Sequence, residues 1–170
     1  MLEINQLHIV FNNINSFFDT YRISILLLIP FLIATYTDLK YMKIYNNFNL
    51  FLLIYFIVYF LLPEPIGMGM HFALLWPRIF ASLISMLILL IPAMILMHKM
   101  GGDIKFLGVI ALFTGPYVII STLILACIIN LIYFIINIYL LKRDAKETNK
   151  PFAPFLTISY IILFIIFFIV

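Results

Sequence analysis

Apolar residues run through this chain in long segments, which short clusters of polar and charged residues separate. Of its 170 residues, 66% are hydrophobic and only 10% are charged. A soluble domain of this length needs more polar surface than these residues supply. A helix of about 20 apolar residues, in contrast, matches the thickness of a bilayer. The sequence therefore predicts an all-α polytopic membrane protein.

Six helices are predicted to cross the membrane. Their approximate bounds are 21–37, 44–62, 74–97, 104–114, 117–141 and 155–170. The apolar stretch 104–141 is too long for one span, and Thr114-Gly115-Pro116 divides it because proline removes a helix hydrogen bond. Residues 1–20 carry apolar side chains three and four apart, which predicts an amphipathic helix at the membrane interface. All of these segments are predicted to form a single domain.

Positive charges are distributed unevenly between the two sides of the predicted bundle. Eight fall in or beside the loops after spans one, three and five: Lys40, Lys43, Lys99, Lys105, Lys142, Arg143, Lys146 and Lys150. Only Arg22 and Arg78 fall on the other side. Because cytoplasmic loops carry an excess of Lys and Arg, both termini are predicted to lie outside the cell membrane. A re-entrant hairpin at 104–114 would put the last four of the eight charges opposite the others, so a short span is predicted there.

Metal, disulfide and nucleic-acid chemistry find little support in the sequence. The single Cys127 allows no disulfide framework and no cysteine-based zinc site. His71 and His98 have no His or Cys at metal-ligand spacing, and neither a metal nor a cofactor is predicted. The net charge of +3 is too small and too dispersed to indicate a nucleic-acid partner.

Two aspartates stand at the boundaries of apolar segments. Asp38 ends the first span, and Asp103 follows Gly101-Gly102 just before the fourth. A carboxylate next to hydrocarbon is costly, and such residues are functional-site candidates for that reason. The predicted topology places both carboxylates on the same, cytoplasmic side of the bundle.

These aspartates belong to three motifs that together resemble the type IV prepilin peptidases, which are membrane aspartic proteases of the GxGD class. The motifs are Asp38 with Ile44 and Asn46, then Gly102-Asp103-Ile104-Lys105, then Pro151-Phe152-Ala153-Pro154-Phe155. They occur in the family's order and span most of the chain. Met100, Tyr45 and Ala153 replace a glycine, a proline and a glycine that are usual in the family. The chain also lacks the cysteine-rich segment of longer bacterial members, so it resembles their short form.

The resemblance implies an activity, partners and a set of site residues. It implies a membrane aspartic endopeptidase that cleaves the short basic leader peptide of type IV prepilin, pseudopilin or archaellin precursors at the cytoplasmic face. The implied partners are these precursors and the lipid bilayer. Asp38 and Asp103 would be the catalytic residues. Substrate binding or loop geometry would depend on Gly101, Gly102, Lys105, Ile44, Asn46, Pro151 and Pro154.

Two carboxylates hydrolyse a peptide bond when one is ionised and activates water while the other is protonated and polarises the carbonyl. Asp103 begins a helix, where the helix dipole favours its charged form, and Asp38 ends one, where the dipole disfavours that form. We therefore predict Asp103 as the base and Asp38 as the acid. Two other classes stay open from the residues alone, namely a small proton-coupled transporter and a non-enzymatic membrane assembly protein.

The glycine pair and Lys105 also have ordinary structural interpretations. Gly101 and Gly102 suit either the close approach of an extended substrate backbone or simply a tight turn. Lys105 suits contact of its ammonium group with lipid headgroups.

Overall fold

The computed structural model describes residues 2–19, 21–63, 71–95, 101–137 and 151–169. Its helices are α1 (Leu2–Asp19), α2 (Tyr21–Tyr41), α3 (Asn46–Leu61), α4 (Phe72–Ile95), α5 (Gly101–Ile135) and α6 (Ala153–Ile169). No strand occurs among the described residues, so the all-helical prediction is confirmed for them. The predicted ends of the third and fifth spans, the charges at 142–150, Lys99 and Met100 lie outside the described residues.

The chain divides into two compact units. The Asp38 unit contains residues 1–43 and 121–170, and the Asp103 unit contains residues 44–120. In the Asp38 unit, α2 packs along α6 and α1 contacts both helices.

Hydroxyl groups and aromatic rings fill the interface between α2 and α6. The Thr157 hydroxyl donates to the Phe31 carbonyl at 3.1 Å and lies 2.6 Å from the Thr35 hydroxyl. The Phe31 ring stacks on the Tyr160 ring with centroids 4.6 Å apart. Interhelical hydrogen bonds of this kind fix one register between apolar helices, because a shift along the axis breaks them.

The N-terminal helix α1 covers the predicted amphipathic segment. Leu7 and Phe11 are exposed on it, whereas Ile14 is buried. The Phe11 ring also contacts Phe167 of α6, with centroids 5.5 Å apart. The helical prediction is confirmed here, and the location of α1 at a membrane interface stays a prediction.

In the Asp103 unit, aromatic residues pack the first part of α5 against α3. Phe113 lies with its ring centroid 5.6, 5.2 and 6.0 Å from those of Tyr55, Phe56 and Tyr59. Phe113 itself is buried. Phe113 lies two residues before the point where α5 departs from helical geometry.

A break in α5 occurs at Gly115, whose φ of 75° and ψ of 179° are not helical. Pro116 has no N–H, so the Leu112 carbonyl loses the donor that an uninterrupted helix would supply. Arg78 of α4 replaces it, because its Nη1 donates to the carbonyls of Leu112, at 3.0 Å, and Phe113. The predicted break between the fourth and fifth spans is confirmed, and a cation satisfies the freed carbonyls.

Two described segments are long and apolar enough to cross a bilayer, Phe72–Ile91 of α4 and the whole of α5. The helix α3 and residues 153–167 of α6 are apolar but shorter. Large apolar side chains on α4 are exposed, including Leu83, Ile84, Leu87 and Ile88. A soluble protein would bury most of these residues, so the pattern is that of a membrane protein. Six spans remain a prediction.

Candidate active site

Asp38 lies in the last turn of α2, just after the predicted span 21–37. Its side chain is buried, with 3% of the residue exposed. The helix ends three residues later, at Tyr41, because Met42 adopts a φ of 52°, in the left-handed region. The Met42 N–H donates to the Asp38 carbonyl at 2.9 Å. The carboxylate is therefore held on a regular helix rather than on a loop.

The partner of the Asp38 carboxylate is the beginning of α6. The Phe152 carbonyl accepts hydrogen bonds from the N–H groups of Phe155 and Leu156, at 3.1 and 3.3 Å, so Phe152 caps the helix. Phenylalanine has no side-chain acceptor for the unpaired N–H groups of a helix start. Asp38 supplies this acceptor from α2, since the Ala153 N–H donates to Asp38 Oδ2 at 2.9 Å.

Pro151 and Pro154 stand on either side of this contact. Proline lacks an N–H group, and in the first turn of a helix this loss breaks no intrahelical bond. Both prolines are partly exposed. The motif at 151–155 thus presents the backbone of a helix start, rather than a set of polar side chains, to Asp38.

Two opposing effects act on the charge of Asp38. Burial raises the pKa of its carboxyl, and hydrogen bonds from the N–H groups of Ala153 and Phe152 lower it. Burial is the larger effect, so the pKa lies above the ordinary value for aspartate. The sequence argument considered only the C-terminal end of the first span and could not include the positive end of α6.

Asp103 occupies the third position of α5 and is partly exposed. The preceding Gly101 and Gly102 are themselves helical, although the sequence placed the fourth span from residue 104. A Cβ added to Gly102 would lie 2.5 Å from the Ile44 carbonyl oxygen, whereas one added to Gly101 meets nothing within 4 Å. Gly102 therefore permits close approach of the chain's own backbone at Ile44, an arrangement the two earlier interpretations did not include.

Side chains from the start of α3 bind the first turn of α5. The Lys105 ammonium donates to Asn46 Oδ1 at 3.1 Å, and Asn49 Nδ2 donates to the Gly102 carbonyl at 3.1 Å. Together with the buried Ile44, these contacts join Ile44 and Asn46 to Gly102 and Lys105 in the first turns of α5, the part of the helix that carries Asp103. Lys105 is thus bound to a protein side chain, beyond the headgroup contact predicted for it.

Two departures from the family pattern fit the backbone where they occur. Tyr45 caps α3 with φ −75° and ψ 137°, which is the conformation that proline also adopts. Ala153 begins α6, and its contact with Asp38 uses only its backbone N–H. The third departure, Met100, lies outside the described residues.

The sequence did not predict two groups of the site, the Ala153 N–H that contacts Asp38 and the Asn49 amide that binds Gly102. The Ala153 N–H has no residue signature, because every non-proline residue carries the same group. Asn49 had one, since it is the last amide before the apolar run of α3 and lies one turn after Asn46.

Comparison with known proteins gives one finding. A model of the type IV leader peptidase family matches residues 25–135, about two thirds of the chain, and this range includes Asp38, Asn46 and Asp103. No curated protein and no solved structure matches the chain. The matched range also contains both the buried aspartate of α2 and the glycine-led start of α5. The chain therefore belongs to the type IV leader peptidase family.

Proposed function

We propose that this protein is a membrane aspartic endopeptidase that removes short basic leader peptides from type IV prepilin, pseudopilin or archaellin precursors. The whole chain would serve as one peptidase domain. The observation that carries the proposal is the family match, because the matched residues include two aspartates that other parts of the chain hold in place. Family membership favours a peptidase over the transporter and the assembly protein that the residues alone left open.

The proposed reaction uses Asp38 and Asp103 as a pair. The ionised carboxylate takes a proton from water while the other, protonated, donates a hydrogen bond to the scissile carbonyl. The oxygen of water bonds to the carbonyl carbon while the carbonyl oxygen takes the proton of the acid. The C–N bond then breaks as the base gives the proton that it took from water to the leaving nitrogen, and the acid regains a proton from the former carbonyl oxygen. We assign the base to Asp103 and the acid to Asp38, and the burial that raises the pKa of Asp38 supports this assignment. The meeting of the two carboxylates remains a prediction.

The test is cleavage of a co-expressed prepilin-type precursor by the wild type and by Asp38→Asn and Asp103→Asn. Asparagine keeps the shape of aspartate but cannot exchange a proton, so each variant should lose at least about 1,000-fold in cleavage rate. The double variant should lose no more than either single one, as groups acting as a unit do. Membrane levels of the variants should equal that of the wild type. Near-normal turnover in one variant would remove that aspartate from the pair.

We further propose that both termini lie outside the cell membrane and the active site at the cytoplasmic face. Single cysteines replacing Met42 and Thr148, in a Cys127→Ala background, should be shielded from an impermeant thiol reagent added to intact cells. A cysteine replacing Gly67 should react. Labelling at position 148 without labelling at position 67 would contradict this topology, with residues 104–114 as the first segment to reconsider.

A further inference from the structure

Asn49 is a buried amide whose two polar atoms have different surroundings. The residue is 5% exposed, and its Nδ2 donates to the Gly102 carbonyl at 3.1 Å. Its Oδ1 is buried and has no hydrogen-bond partner among the described residues. The orientation of the amide is fixed, because only its NH₂ group can donate to a carbonyl. Asn49 therefore makes one interhelical hydrogen bond, and its buried acceptor bonds no other described residue.

Stability does not account for an amide at this position. Gly102 lies in the first turn of α5, so its carbonyl already belongs to the hydrogen-bond ladder of that helix. The bond from Asn49 is thus additional to what this carbonyl requires. A buried acceptor without a partner costs at least as much as one hydrogen bond contributes. A leucine of similar size would give a fold that is at least as stable.

The hydrogen bond from Asn49 restrains the orientation of the first turn of α5 relative to α3. The contact between Gly102 and the Ile44 backbone fixes how closely α5 approaches the start of α3, but one contact leaves rotation about itself open. The exposed bond from Lys105 to Asn46 restrains that rotation only weakly. The buried bond to the Gly102 carbonyl restrains it one residue before Asp103.

We propose that Asn49 is a positioning residue for the peptidase reaction, holding the first turn of α5, and with it Asp103, in the orientation that the reaction requires. This inference rests on the proposed function. Asn49 acts through the Gly102 carbonyl and does not itself touch the substrate or the reacting atoms. The unfilled Oδ1 is the cost of placing an NH₂ donor at that point of α3.

The first test is Asn49→Leu in the full-length protein, purified in detergent and assayed on a prepilin-type precursor. Misplacing Asp103 should lower kcat by at least about 10-fold while KM changes less than about 2-fold. The midpoint of thermal unfolding should equal or exceed that of the wild type, because the unfilled acceptor is removed. Full activity would overturn the proposal, and so would an activity loss accompanied by a matching loss of thermal stability.

A matched control is Ser85→Ala. Ser85 is also a buried polar residue of the Asp103 unit, but its hydroxyl bonds the Ser82 carbonyl of its own helix, at 2.9 Å. Its removal should leave kcat and KM unchanged. Loss of activity in Ser85→Ala equal to that in Asn49→Leu would show a general sensitivity of the unit to buried polar groups, and would also overturn the proposal.

A second test needs no peptidase activity. In a helix the N–H groups of Lys105 and Phe106 donate to the carbonyls of Gly101 and Gly102. The rate of hydrogen exchange at these two backbone amides therefore reports how firmly the first turn of α5 is held. Asn49→Leu should raise this rate at least about 3-fold, and equal rates would overturn the proposal. If the wild type cleaves no precursor, the peptidase proposal fails, and these rates alone decide the role of Asn49.

Discussion

The two aspartates are held in place by different means. Asp38 is buried, and its carboxylate accepts a backbone N–H from a residue 115 positions away at the start of α6. Asp103 is partly exposed. The turn that carries it is held by the close packing of Gly102, which has no side chain, on the Ile44 backbone and by the amide of Asn49. The first setting depends on backbone donors and the second on specific side chains.

This difference determines which amino-acid substitutions each region tolerates. Any residue other than proline at position 153 supplies the N–H that Asp38 needs, so what limits substitution there is the space around the buried Ala153 side chain. Gly102 and Asn49 each contribute a property that few other residues share. Substitutions that separate backbone from side-chain effects therefore test the comparison directly.

The largest effect is expected for Gly102→Ala. The new Cβ would lie 2.5 Å from the Ile44 carbonyl oxygen, and a backbone atom cannot move aside cheaply. We expect a loss of about 2 kcal/mol, or roughly 5 °C in the midpoint of thermal unfolding. Gly101→Ala is the matched control, and it should be neutral or slightly stabilising because its site is open. Equal stability of the two variants would contradict the close contact with Ile44.

An intermediate effect is expected for Ala153→Pro. Proline is well tolerated at the first position of a helix, so α6 should still begin there while the N–H to Asp38 is deleted. The Ala153 N–H holds the Asp38 carboxyl in place, so its loss should misplace the proposed acid and lower the cleavage rate by at least about 10-fold. Ala153→Val adds bulk but keeps the N–H, and should retain clearly more activity. If valine and proline lose equally, bulk rather than the donor matters.

The smallest effect is expected at the exposed hydrogen bond between Lys105 and Asn46. A double-mutant cycle with Lys105→Met and Asn46→Ala should give a coupling energy of about 0.5 kcal/mol or less, since solvent competes at exposed sites. Thermal unfolding in detergent measures it. A coupling above about 1.5 kcal/mol would mean that this contact, and not Asn49, is the main restraint on the start of α5.

Much of the contact between the start of α3 and the start of α5, which carries Asp103, could be predicted from the sequence. Ile44, Asn46, Gly102 and Lys105 were grouped because they belong to two motifs of one family, and the structure places them together. The break at Gly115 was also predictable, because proline 116 leaves carbonyls without donors whatever the tertiary structure.

What escaped prediction depends on contacts distant in sequence. The N–H of Ala153 carries no sequence signal, and its role appears only when α6 is packed against α2. Gly102 was expected either to admit a substrate backbone or to form a tight turn, whereas it lies in the helical start of α5, packed on the Ile44 backbone. Arg78 was predicted only as a charge on the outer side. In the structure it donates to the carbonyls of Leu112 and Phe113, which lie 34 and 35 residues further along the chain.

The contact made by Arg78 bears on how the protein is synthesised. Its carbonyl acceptors in α5 follow it by 34 and 35 residues, so α4 is translated before its cation has a partner. An unpaired arginine within an inserting helix costs free energy, up to roughly 2.5 to 3.5 kcal/mol at the centre and less near the end, where Arg78 lies. We infer that α4 and α5 enter the membrane together as a hairpin. Nascent chains ending after residue 95 should then insert less completely than chains ending after residue 120, and equal insertion would count against this order.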